Sequence, residues 1–258
     1  MEKNYRFTYQ DNQFTGECLP CTLAQFKSVV SSGSVAWRIN TRQMIERAIN
    51  DGLSLNTWTN DATFRNFCLK QEQRPRAGAD FAALPVEKKL VQWANSLKMW
   101  LPCFIFAVEE FEAVEKTDKD GNPVLDKEGR PVKFRQRKQY GIKRLSGLFM
   151  FDGDHLPVDP QEIYQRTLRP GFPWQVRLAH KTSSGYGLRL VCEARPDIGN
   201  IADNQIEVAR ELGLLGMTGT TGKPVTDNSC IDASRISYAP RECDIYFIDE
   251  DKLFNYQL

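Results

Sequence analysis

The stretch that most constrains the fold is 145–156, LSGLFMFDGDHL. Leu148, Phe149, Met150 and Phe151 form an apolar run behind a Ser-Gly pair and end at Asp152-Gly153-Asp154. A short apolar run bounded by turn signals predicts a buried β-strand. Side chains two apart on a strand share a face, so Asp152 and Asp154 are expected to project together from its end. Two neighbouring carboxylates repel each other unless a cation lies between them, and hard divalent ions take such oxygen ligands. The same tripeptide also suits an ordinary turn, because Asp and Gly are common turn residues.

A buried strand needs a core to sit in. The chain has 258 residues, of which 26% are charged and 41% hydrophobic. That is ordinary globular composition, enough for one large domain or two packed lobes. The net charge of +1 names no partner by itself. The start, MEKNYRFTYQ, has no apolar run behind a basic segment, so no secretory signal is expected. No stretch approaches the roughly eighteen apolar residues of a membrane span. A cytoplasmic protein without membrane contact is the expectation. The seven cysteines are scattered and odd in number, which suits reduced thiols. Cys18 and Cys21 form a CxxC pair, but no second pair follows at zinc-finger spacing, so the zinc signal is weak.

Residues 1–100 read as a mainly helical N-terminal lobe. Helices are expected over 23–31, from Asn40-Thr41 through Asn50, from Asp61 or Thr63 through Gln71, and over 86–100 behind Pro85. This lobe shows no catalytic constellation. Residues 101–258 read as a second unit, opening with a buried strand over 103–108. An exposed hairpin insertion follows at 115–140, marked by Asp-Gly and Glu-Gly turn signals. Its return limb carries Lys133, Arg135, Arg137, Lys138, Lys143 and Arg144, with no acid between Glu128 and Asp152. Phe134 and Tyr140 interleave with those charges. Such a pattern suits a nucleic-acid backbone with base stacking, and equally a solvated hairpin.

Beyond the Asp pair, a short helix from Pro160 to Thr167 is expected, then a strand near 174–179. Ser184-Gly185-Tyr186-Gly187 lies between two apparent strands. Small residues let backbone N–H groups approach a phosphate, and Ser184 and Arg189 can donate to the same anion. A Gly-rich hairpin turn is the other reading. From Ile163 to Cys192 there is no acid, but there are Arg166, Arg169, Arg177, Lys181 and Arg189. A helix is expected over 201–214, then a Gly/Thr-rich loop. Asp232 follows Cys230-Ile231, with Arg235 close behind; it caps a turn or supplies a third carboxylate.

In this order, the three signals resemble the motifs of the archaeo-eukaryotic primase (primase-polymerase) superfamily. Phe149-Met-Phe-Asp152-Gly-Asp154 resembles its Asp-x-Asp strand. Ser184-Gly-Tyr-Gly-Leu-Arg189 resembles its Ser-Gly-x-Gly strand pair. Ile231-Asp232, with Arg235, resembles its third motif. Leu101-Pro102 ahead of Ser146-Gly147-Leu148 is most similar to primase-like domains of bacterial mobile elements. The resemblance covers roughly residues 95–250. One departure is that Arg189 stands where the family has a His that contacts the triphosphate; His180 lies too far upstream to take that place.

The resemblance implies an α+β fold with a central mixed β-sheet, an RRM-like catalytic palm, packed helices and a helical N-terminal lobe. It implies a template-directed nucleotidyltransferase using two Mg²⁺ or Mn²⁺ ions on Asp152, Asp154 and Asp232. Ser184, Gly185, Gly187 and Arg189, with His180, Lys181 and Arg235, would hold the nucleotide. Lys133, Arg135, Arg137, Lys138, Tyr140, Lys143 and Arg144 would track a single-stranded DNA template. The implied partners are that template, NTPs or dNTPs, and a replicative helicase. The alternative is an inactive primase-like module that binds nucleic acid and docks a helicase or initiator; a metal-dependent phosphodiesterase is a weaker option. An EF-hand loop starting at Asp152 fails, because its positions 5, 6 and 12 are Leu156, Pro157 and Ile163. His155 and His180 are too far apart for a histidine-cluster nuclease, and no P-loop sequence is present.

Overall fold

The computed structural model describes residues 5–75, 77–226 and 232–254. The chain opens with strands β1 (Tyr5–Gln10) and β2 (Leu19–Thr22). Six helices follow: α1 (Leu23–Val30), α2 (Gly33–Asn50), α3 (Asn56–Thr59), α4 (Ala62–Glu72), α5 (Gly78–Ala82) and α6 (Val86–Met99). Then come β3 (Cys103–Ile105), β4 (Val108–Phe111), β5 (Ala113–Glu115), β6 (Lys133–Arg135), β7 (Ile142–Leu145) and β8 (Leu148–Gly153). The last part holds α7 (Pro160–Thr167), β9 (Val176–Lys181), β10 (Leu188–Glu193), α8 (Ile201–Glu211), β11 (Ser237–Tyr238), β12 (Ile245–Ile248) and α9 (Glu250–Phe254).

The molecule is α+β, but the expected mixed sheet is corrected. Among the described residues, two four-stranded sheets form, ordered β11-β3-β1-β2 and β12-β9-β10-β8, and every pairing is antiparallel. The cause is the tight β9–β10 hairpin, which inserts β10 between β8 and β9. Those two strands run parallel without touching. The two sheets share one core: Phe7, Phe104 and Phe106 meet Leu148, Met150, Leu178 and Val191, with Phe26 and Phe254 alongside. On β8, Phe149 and Phe151 point the opposite way, as the two-residue period requires. They pack with Ile163 and Tyr164 of α7 and Val208 and Ala209 of α8. A third core joins α2, α4 and α6 through Ile45, Phe64, Leu90, Trp93 and Leu97.

Local signals account for several helix starts. Asp61 accepts from the backbone N–H groups of Thr63 and Phe64 and starts α4. Asp159 caps α7 with Pro160 at its first position, and Asn200 and Asp203 form a capping box on α8. The start of α2 differs from expectation. Asn40-Thr41 lies inside the helix, because the buried row Val35, Ile39, Arg42, Ile45 and Ala48 begins earlier and packing outweighs the capping signal. The expected 103–108 strand breaks into β3 and β4. The insertion is more than a simple hairpin. Asp118 and Asp126 each fold a tight turn by accepting from backbone N–H groups two and four residues on. Bridges Thr117–Pro123 and Leu125–Pro131 then lay a short middle segment between the limbs. Among the described residues, no helix is long and apolar enough to cross a membrane.

Candidate functional site

The free end of β8 opens into a cleft of about 390 Å³. Asp152 and Asp154 line it, as the strand period suggested. Asp152 is buried on β8, while Asp154 lies just past the strand, with 45% of its side chain exposed. The Asp154 backbone N–H donates to the Val225 carbonyl at 2.8 Å. His155 beside it has φ +49°, a left-handed conformation that is uncommon for a non-glycine residue.

The Ser-Gly-x-Gly segment is the β9–β10 turn, and its Ser183 and Ser184 line the same cleft. The Thr182 N–H donates to the Gly187 carbonyl at 2.8 Å and the Gly185 N–H to the Thr182 carbonyl at 2.9 Å. Gly185 has φ +85°. At Gly187 a Cβ would stand 2.7 Å from both the Gly153 carbonyl oxygen and Thr182 Oγ1, so only glycine lets the turn sit against the end of β8.

Register places His180, Arg189 and Asp152 side by side on β9, β10 and β8. The buried Arg189 guanidinium hydrogen-bonds Asp152 through Nη2 and donates to Ser237 Oγ through Nη1 at 3.1 Å. Arg189, expected to donate to an anion, is held by a carboxylate of the chain itself. His180 is fully buried and does not line the cleft. Its Nδ1 lies 2.8 Å from the Lys181 carbonyl and its Nε2 has no hydrogen-bond partner. Burial, with Arg189 beside it, pulls its pKa down to about 4, so the ring is neutral at pH 7.

Asp232 does not line the cleft. Its side chain caps a turn, accepting from Ser234 N–H at 2.8 Å and Ser234 Oγ at 2.7 Å. Arg235 does line the cleft. Cys230 and Ile231 lie outside the described residues. The basic limb divides. Arg137 enters the cleft and donates to the Ser234 carbonyl at 3.3 Å. Lys143 and Arg144 pair with Glu110 at 3.1 and 2.6 Å, and Arg135 approaches it at 3.7 Å. Those hydrogen bonds, Arg144 first, hold the Glu110 carboxyl down at about 2. Lys133, Lys138 and Tyr140 stay exposed, with Lys138 Nζ 5.3 Å from the Tyr140 ring centre.

Two cleft residues come from the N-terminal helices and were not anticipated. Arg42 of α2 donates to Ser183 Oγ at 2.8 Å, and its buried Nε has no partner. Lys98 of α6 lies 5.0 Å from the Tyr238 ring centre. Burial, then Arg42 and Arg189, pulls its pKa below the ordinary value. A signal existed: Arg42 interrupts the apolar row of α2, and Lys98 continues the row Leu90, Ala94 on α6. With Arg137, Arg189 and Arg235, five cations face two carboxylates.

This donor set bears on the implied metal. Among the described residues, no group of three His, Cys, Asp or Glu side chains is gathered to hold an ion. Asp152 and Asp154 still fit a Mg²⁺ or Mn²⁺ ion that arrives with a polyphosphate, since one or two carboxylates plus phosphate oxygens are a usual Mg²⁺ shell. Asp232 would join only after releasing Ser234. The CxxC pair does not fit zinc. Cys18 and Cys21 are buried in different cores, and burial pushes both thiols up, Cys18 to about 12. No family model, curated protein or solved structure matches this chain.

Proposed function

We propose that this protein is a template-directed nucleotidyltransferase, a primase-polymerase that joins nucleotides on single-stranded DNA. The observation that carries it is the cleft itself: two carboxylates, a serine- and glycine-built turn and five cations converge in one space. That combination suits a metal-bound polyphosphate better than a neutral ligand. Arg42, Lys98, Arg137 and Arg235 would bind phosphate oxygens, while Ser183 and Ser184 fix the chain at the turn. Asp152 and Asp154 would hold a Mg²⁺ or Mn²⁺ ion, which would neutralise charge and lower the pKa of an attacking hydroxyl. The sheet β12-β9-β10-β8, with α7 and α8 on one face, would serve as an RRM-like palm. A cytoplasmic replicative helicase is the partner consistent with this reading.

Primer extension on single-stranded template with Mg²⁺ or Mn²⁺ tests it. Asp154→Asn should lower the rate by about a hundredfold or more, because positioning and charge neutralisation carry most of such chemistry. Asp154 is half exposed, so the variant should keep the parent's melting temperature. One observation favours a second reading, an inactive module that binds nucleotide or nucleic acid and docks a helicase or initiator: Arg189 already pairs with Asp152 through Oδ2. No synthesis by the parent protein, with nucleotide binding intact, would establish that reading instead.

A further inference from the structure

A second open groove, about 970 Å³, lies on the N-terminal helices between α2, α4 and α6. Three aromatic side chains stand exposed in it: Phe14 at 57%, Trp37 at 43% and Trp100 at 50%. The Phe14 and Trp100 rings are 5.2 Å apart and tilted by 56°, so they form one apolar ledge without burying each other. Arg38, Lys70 and Arg74 line the same groove. Among the described residues no carboxylate lines it, and none of these three cations forms an ion pair there. The neighbouring Glu72 faces Lys89, at 3.4 Å.

Exposed aromatic faces beside unpaired cations are the two things a single strand needs: platforms for unstacked bases and charge for the backbone. The basic limb at 133–144 meets that need less well, because Arg135, Lys143 and Arg144 face Glu109 and Glu110. Neighbouring residues of the chain line the groove and the cleft. Gln13 lines the cleft and Phe14 the groove; Lys98 lines the cleft, and Leu97 and Met99 on either side line the groove. The Gln13 N–H donates to the Met99 carbonyl at 3.3 Å, which ties the two segments together.

We propose that this groove binds single-stranded DNA, with bases against Phe14, Trp37 and Trp100 and phosphates at Arg38, Lys70 and Arg74, and feeds the strand to the cleft. Calling that strand a template rests on the function proposed above; the binding does not.

The test is fluorescence anisotropy with a labelled oligo-dT of about 16 nucleotides. Trp37→Ala/Trp100→Ala should weaken binding by about tenfold or more. Arg38→Ala/Lys70→Ala/Arg74→Ala should weaken it at low salt and flatten the slope of log K against log salt by about 2. The charge variant alters only surface side chains and remains informative if the tryptophan variant fails to fold. Unchanged binding and salt slope in folded variants would overturn the proposal and leave the groove to a protein partner. A duplex competing as well as the single strand would overturn it too, since stacked bases offer no free faces. Primer extension by the parent protein separates the two ideas. Groove-dependent binding without extension upholds the groove and removes the polymerase reading. Extension with groove variants that still bind does the reverse.

Discussion

His180 shows how one residue's surroundings decide its chemistry. The primase resemblance implies that it helps to hold the nucleotide. Its place on β9 instead buries it in register with Arg189, with Asp152 and Asp244 as the nearby acids. A neutral ring costs less there than a charged one, so its pKa falls from 6.5 to about 4. In the unfolded chain the ring binds a proton below pH 6.5; in the folded one it does so only near pH 4. The stability His180 contributes is therefore complete above pH 6.5 and is lost as pH falls towards 4. Denaturant titrations should show stability falling by about 2 kcal/mol between pH 7 and pH 5. His180→Leu should flatten that slope, and an equal slope in both proteins would show that other groups set it. Arg189 was legible in the sequence as a residue that could meet an anion near the Ser-Gly-x-Gly turn. What it touches was not, because its contact with Asp152 crosses from one strand to the next.

The β9–β10 turn is the element on which the cleft depends. Gly187 is needed for space rather than for an unusual φ, since its absent Cβ is what lets Gly153 approach. Gly187→Ala should cost about 1–3 kcal/mol by overpacking and shift Ser183 and Ser184 away from Asp152. A lowered melting temperature with weakened dNTP binding is the expected pair of results; a variant matching the parent in both would remove the turn from the site. This turn, the apolar run of β8 and the starts of α4 and α7 could all be read from the sequence, because each is a local pattern. The basic limb could not be read so well. Counting along the chain showed no acid near it, but β7 pairs with β4, and that ladder brings Glu110 to Lys143 and Arg144. The same limit hid Arg42 and Lys98. Their helices were expected, but which side chains face the cleft depends on how those helices dock on the sheet.

The sequence suggested a division at residue 100, between a helical lobe and a palm. One of the two four-stranded sheets runs across it. β1 lies at the centre of its sheet, hydrogen-bonded to β2 on one side and to β3 on the other. Phe7 sits between Phe104, Phe106 and Phe254, and Arg6 donates to the Ser146 and Lys252 carbonyls and to Glu193. A chain starting at residue 101 would lose β1, β2 and α1 together. Phe104, Phe106 and Met150 would then face water, and the edge of β3 towards β1 would be left unpaired. Such a chain should keep helix and strand signals in far-UV circular dichroism but bind ANS and melt without a cooperative transition. The full chain should melt in one transition, because its N-terminal residues belong to the core that supports Asp152. A cooperative melt and dispersed amide signals from 101–258 alone would show instead that this part folds independently and that the N-terminal segment is an added lobe.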